Sequence, residues 1–153
     1  VQLDEAADLC SRHSVHLTDL RRIVLGLILQ ANRPLTAYQL LDQLKATRPG
    51  AAPPTIYRAL EFLLEQKLIH KLERSNAFIA CTGLGQHAHA AQLLVCGTCG
   101  QAAELEDRSV ARALWQAAAE IGFRPSNRIV EIDGICADCA RLKSSSGVDE
   151  TQF

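Results

Sequence analysis

Six side chains that bind metals fall between positions 81 and 104: Cys81, His87, His89, Cys96, Cys99 and Glu104. A second Cys-x-x-Cys pair, Cys136 and Cys139, follows, so the four knuckle cysteines read C-x2-C-x36-C-x2-C. Two thiolates separated by two residues can chelate one ion from a single tight turn, and four of them close a tetrahedral shell around zinc. A closed shell leaves no position for substrate, so this pattern points to a structural zinc held by Cys96, Cys99, Cys136 and Cys139. Redox dithiols and free thiols are the competing readings of the same residues. His70, Cys81, His89 and Glu104 form a second candidate set, with His87 competing with His89 as a ligand. One soft thiolate with imidazoles favours zinc over iron or manganese. Any one of these residues alone is more often an ordinary polar residue than a ligand.

These side chains need elements to hold them. The chain has 153 residues and is 48% hydrophobic, enough for one ordinary domain or two small ones. Apolar spacing predicts a helix from Leu3 to about His13, with Cys10 on its buried stripe. A second helix follows an N-cap at Thr18 and ends at Asn32-Arg33-Pro34. Thr36 with Gln39 is a capping box, and the helix that it opens buries Leu40, Leu41 and Leu44. Pro53-Pro54 starts a fourth helix that buries Ile56, Ala59, Leu60 and Leu63. Thr55, Tyr57 and Arg58 are left on the outer face of its first turn. A helix-turn-helix protein touches base edges with that part of its second helix, although a solvated helix end would look the same.

The run LIHKLERSNAFIAC reads as a hairpin around Ser75-Asn76. A two-residue turn there pairs 74 with 77, 72 with 79 and 70 with 81, which sets His70 directly opposite Cys81. A slip of one residue would undo that placement. Helices followed by a hairpin give the order of a winged helix. Beyond it, strands are expected at Gln92–Val95, Gln101–Leu105 and Arg128–Asp133. A helix opened by Asp107 or Ser109 should run to about Ile121 and close at Gly122. The fold class is therefore α+β: a winged helix-turn-helix DNA-binding domain over 1–82, a hinge over 83–90, a small zinc-stabilised α/β domain over 91–143 (the dimerisation domain, on the resemblance given below), and a flexible tail over 144–153.

Charge is no guide to a partner, because the net charge is -1. Residues 1–74 carry 10 basic and 8 acidic side chains and the remainder 6 and 9, a mild asymmetry. No apolar run reaches the roughly 18–20 residues of a membrane span, and nothing at the N-terminus resembles a signal peptide. Cysteines paired as Cys-x-x-Cys suit a thiolate chelate in reducing cytoplasm better than a disulfide framework. Two other classes fit less well. Zinc deaminases need H-x-E followed by P-C-x-x-C, and no His here stands two before a Glu. A passive zinc-ribbon module leaves the N-terminal helices unexplained.

The segments HLTDLRRIVL, TAYQLLDQL and PPTIYRALEFLLEQKLIHKLE, with the double Cys-x-x-Cys, resemble the ferric uptake regulator (Fur) family over roughly residues 8–140, and within it the zinc uptake regulator (Zur) branch most. The resemblance implies a regulatory zinc held by a His, a Cys, a second His and a Glu, matching His70, Cys81, His89 and Glu104, beside the structural zinc: about two Zn2+ per subunit. It places Tyr38, Tyr57 and Arg58 at the DNA, and it matches Arg21 to the family's LTxxR element, which counts Arg21 among the DNA-binding residues. The implied protein is a homodimeric, zinc-responsive transcription regulator, a repressor of zinc-uptake genes that binds palindromic operator DNA. A relative sensing iron or manganese is the alternative. The resemblance implies no enzymatic activity and no small-molecule substrate. Subunits would pair through the apolar face around Leu114 and Trp115. Iron-type members carry a His-rich run of which only His87 and His89 remain, and often a His where this chain has Arg128.

Overall fold

In the computed structural model, residues 2–83, 91–126 and 129–145 are described. They divide into two compact units, Val1–His89 and Ala90–Phe153.

Four helices carry the first unit: α1 (Gln2–Arg12), α2 (Asp19–Gln30), α3 (Ala37–Lys45) and α4 (Pro53–Glu65). Their boundaries follow from local chemistry. The Thr36 hydroxyl accepts from the Gln39 amide while the Gln39 carboxamide accepts from the Thr36 amide, so two orphan donors of α3 are satisfied reciprocally. Pro53 sits where a missing N–H costs nothing. Thr18 has the extended backbone of an N-cap but makes no side-chain capping bond. The apolar stripes fall on the buried faces expected: Leu40, Leu41 and Leu44 on α3, and Ile56, Ala59, Leu60 and Leu63 on α4. Cys10 is fully buried on α1 with Ala6 and Leu9.

Two of these helices end in the same way. Ser14 and Lys67 adopt positive φ (58° and 56°), and the next amides reach back to close a Schellman motif. Val15 donates to the Cys10 carbonyl at 3.0 Å, and Leu68 to the Leu63 carbonyl at 2.9 Å. The second closure turns the chain from α4 directly into a hairpin, with Leu68 fully buried behind it.

That hairpin is β2 (Ile69–Leu72) and β3 (Ala77–Ala80), joined by a third strand that the sequence reading lacked, β1 (Leu35–Thr36), in the order β1-β3-β2. The register also differs from expectation. Leu72 pairs with Ala77 and His70 with Ile79, so the loop has four residues rather than two and His70 is not directly opposite Cys81. A two-residue type I′ turn needs positive φ at both central positions, whereas only Asn76 (φ 51°) supplies it here. The shift is by two, an even number, so each side chain keeps its face.

The second unit is a three-stranded sheet, order β5-β4-β6, from β4 (Gln92–Cys96), β5 (Ala102–Leu105) and β6 (Val130–Gly134). β4 pairs antiparallel with β5 and parallel with β6. The parallel pair needs a crossover, provided by β5 and α5 (Arg108–Glu120). Asp107 caps α5 by accepting from the Ser109 and Val110 amides, and Gly122 (φ 72°) closes it with a third Schellman motif. Hydrogen bonds from Ser109 hold the Asp107 carboxyl below the usual carboxylate range.

The expected tail is partly wrong. α6 (Ala137–Ser145) starts inside the second knuckle, so residues 144 and 145 are helical. The remaining tail positions, the hinge positions 84–90 with His87 and His89, and Arg128 lie outside the described residues.

Candidate metal centres and nucleic-acid interface

The sheet assembles the thiolate cluster. Cys96 ends β4, and its amide donates to the Gln101 carbonyl at 2.8 Å, closing a turn that carries Cys99. Gly100 takes φ 75° in that turn, a conformation that a Cβ would strain. The parallel register sets Cys96 beside Gly134, so the chain leaves β6 next to the first knuckle, and Cys136 follows two residues past Gly134. The Gly97 amide bonds the Gly134 carbonyl at 2.9 Å and ties the two turns together. Cys139 then lies in the first turn of α6, where the helix dipole favours negative charge.

The ligand atoms of Cys96, Cys99, Cys136 and Cys139 all lie within 4.8 Å of one another, with Cys99 Sγ and Cys136 Sγ 3.7 Å apart. Cys96 and Cys139 are buried, Cys136 half-buried and Cys99 exposed. The Cys136 amide donates to Cys96 Sγ at 3.3 Å. That bond, with others from the Cys99 and Thr98 amides, draws the Cys96 thiol down to about 5. Proton sharing with Cys136, then burial, pushes Cys139 up to about 12. Four sulfurs this close suit a divalent cation, which would take the place of the shared protons. All six cysteines are free thiols.

His70 and Cys81 form the second cluster within the first unit. Both are buried, at 4% and 2% exposure, and their ligand atoms lie within 4.8 Å of one another. The pairing is diagonal: Cys81 stands two residues beyond Ile79, the cross-strand partner of His70, and its amide donates to the Leu68 carbonyl at 3.0 Å. Glu104, in the second unit, is half-buried on β5 opposite Leu93.

The candidate reading surface is on α3 and α4. Tyr38 and Tyr57 are 66% and 47% exposed, Arg58 is exposed, and Thr55 is half-buried on the same turn as Tyr57. Apolar faces on both helices are in the core, so these residues present polar and aromatic groups to solvent. Arg21 differs. Its guanidinium stacks 3.6 Å from the centroid of the Phe62 ring and donates to the His16 carbonyl at 2.9 Å. Phe62 was not singled out by the sequence, where nothing links positions 21 and 62.

A winged helix-turn-helix followed by a sheet clasped by two thiolate knuckles defines a DNA-reading protein with a built-in metal site. The chain belongs to the ferric uptake regulator family, whose model matches residues 12–133. It is 35% identical over 150 residues to the zinc uptake regulation protein of Escherichia coli (strain K12), across 98% of this chain and 88% of that protein. The fold superposes on a zinc uptake regulator complexed with zinc and DNA with a TM-score of 0.86 at 36% identity, covering 93% of this chain and 95% of that one. It also superposes on the crystal structure of holo XcZur with a TM-score of 0.82 at 42% identity, covering 91% and 96%. Among the described residues, no helix is long and apolar enough to cross a membrane.

Proposed function

We propose that this protein is a zinc-responsive transcription regulator that binds palindromic operator DNA as a zinc-loaded homodimer and represses zinc-uptake genes. The observation that carries this reading is the likeness, in both sequence and fold, to a zinc uptake regulator captured with zinc and DNA. The chemistry of this chain fits it. Four cysteine sulfurs in the second unit, all within 4.8 Å of one another, could close a tetrahedral shell around structural zinc. His70 and Cys81 supply an imidazole and a thiolate from the wing, and His89 and Glu104 are the further ligands we assign to a regulatory zinc. That makes about two zinc ions per subunit. Thr55, Tyr57 and Arg58, with Tyr38, are assigned to the DNA.

The second unit needs a partner surface. Every apolar residue of α5 remains accessible, with Val110 and Leu114 each 43% exposed, and Leu94, Leu105 and Ile132 of the sheet are exposed as well. Pairing with a second copy would cover such a surface, and two-fold symmetry would offer two reading helices to sites one DNA turn, about 34 Å, apart. A gel shift with a zinc-uptake promoter, with zinc and after chelation, tests the reading. A zinc-dependent shift is expected, and equal binding in both conditions would overturn it.

A further inference from the structure

The corner between α1 and α2 meets the second half of α4 through side chains that have no part in the zinc chemistry. Arg21, early in α2, lays its guanidinium flat on the Phe62 ring, 3.6 Å from the centroid. The same guanidinium donates to the His16 carbonyl in the corner at 2.9 Å. One turn further along α4, Gln66 Oε1 lies 3.3 Å from His13 Nδ1, at the end of α1. Phe62 is 8% exposed and stands four residues after Arg58, so it is stacked one helical turn behind the DNA-facing arginine on the same side of α4. A stacked, hydrogen-bonded guanidinium is a fixed planar plate, which a Lys ammonium on its flexible stem cannot reproduce.

We infer that Arg21 is a positioning residue of the DNA reader: it acts through Phe62 to hold the axis of α4, rather than by neutralising a phosphate. This rests on the proposed DNA-reading function. The two roles leave different traces. A lost phosphate contact lowers affinity for all sequences alike and reduces the salt slope by about 1. A loosened reading helix instead loses discrimination, because its base contacts no longer align, while the number of neutralised phosphates is unchanged.

The test uses full-length zinc-loaded protein, a duplex enriched by the parent from a random-sequence pool, and a scrambled duplex of the same length. Arg21→Met and Arg21→Lys are both expected to lose tenfold or more in the ratio of specific to scrambled binding, with the parental salt slope and zinc content. Phe62→Leu should reproduce the loss, and the double variant Arg21→Met/Phe62→Leu should be no worse than either single one. Hydrogen exchange read on residues 62–66 should rise in Arg21→Met in the absence of DNA. A salt slope lower by about 1 in Arg21→Met, restored by Arg21→Lys, would overturn the inference in favour of a phosphate contact. Unchanged exchange at 62–66 would overturn it as well. A parent that enriches no duplex would instead overturn the DNA-reading function, and the exchange measurement would still decide the brace.

Discussion

His70 faces Ile79 across the wing, and Cys81 follows two residues later on the same side of the strand pair. The thiolate and the imidazole therefore meet diagonally, with the Cys81 amide anchored to the Leu68 carbonyl. Cys81→Ser should keep this backbone and remove the softest ligand. Zinc should remain in the four-cysteine cluster, and the dimer should persist. The zinc midpoint for DNA binding should rise by more than about tenfold, on the scale seen when a metal site loses even a supporting group. A zinc titration followed by DNA-binding anisotropy checks this, and an unchanged midpoint would remove Cys81 from the sensing site.

Cys96→Ser should act on the fold instead. In the second unit only Ala91, Gln92, Leu93, Cys96 and Cys139 are buried among the described residues, so the cluster stands where a larger domain has an apolar centre. Loss of one thiolate opens the zinc shell and frees both turns. The variant should bind less zinc and lose the sheet signal of this unit, and it should elute as something other than a clean dimer. A dimer with parental melting and zinc content would contradict this.

Arg58→Ala should weaken specific DNA binding by about 1–3 kcal/mol, the range for one bidentate contact to a base edge. Zinc content should not change, because Arg58 is on the exposed face of α4. Equal losses on specific and random duplexes would make Arg58 a phosphate contact.

Gly26→Ala should stabilise the first unit. Gly26 is buried in the middle of α2, where glycine costs about 1 kcal/mol relative to alanine. A Cβ built there meets only Leu3 Cδ1 at 3.7 Å, an ordinary contact with α1. Thermal melting should rise by a few degrees with zinc response intact. A lower midpoint would mean that α1 cannot accept the methyl group.

The helices and the four-cysteine cluster were legible because their signals are local. Periodic leucines, a Thr36–Gln39 capping pair and two-residue cysteine gaps each decide a structure within a few positions. The helix end at Gly122 was legible for the same reason. The ends near Ser14 and Lys67 were placed to within a residue or two, but not how they close, because each adopts the left-handed conformation despite carrying a Cβ, held by the amides of Val15 and Leu68 that follow. The wing register turned on the dihedral at Ser75, which does not take the positive φ that a two-residue turn needs, and sequence leaves that open. β1 is two residues long and exists only because β3 pairs with it. α6 was hidden because the chain looked like a polar tail after the last cysteine. The stacking of Arg21 on Phe62 joins positions far apart in the chain, and no periodicity records it.

The parallel pairing of β4 with β6 also sets an order of events during synthesis. β4 and β5 can close their turn as soon as both emerge from the ribosome, but β6 and the second knuckle come later, with 36 residues between Cys99 and Cys136. Closing the longer loop costs about 2 kcal/mol more in chain entropy than closing a five-residue one. The reading domain is complete well before that point, since all of its elements precede residue 82. A nascent chain thus presents a finished first unit attached to a half-made cluster that the last two cysteines complete. On the proposed function, zinc supply at the moment of translation would set how many chains complete this cluster, separately from how many are later switched on.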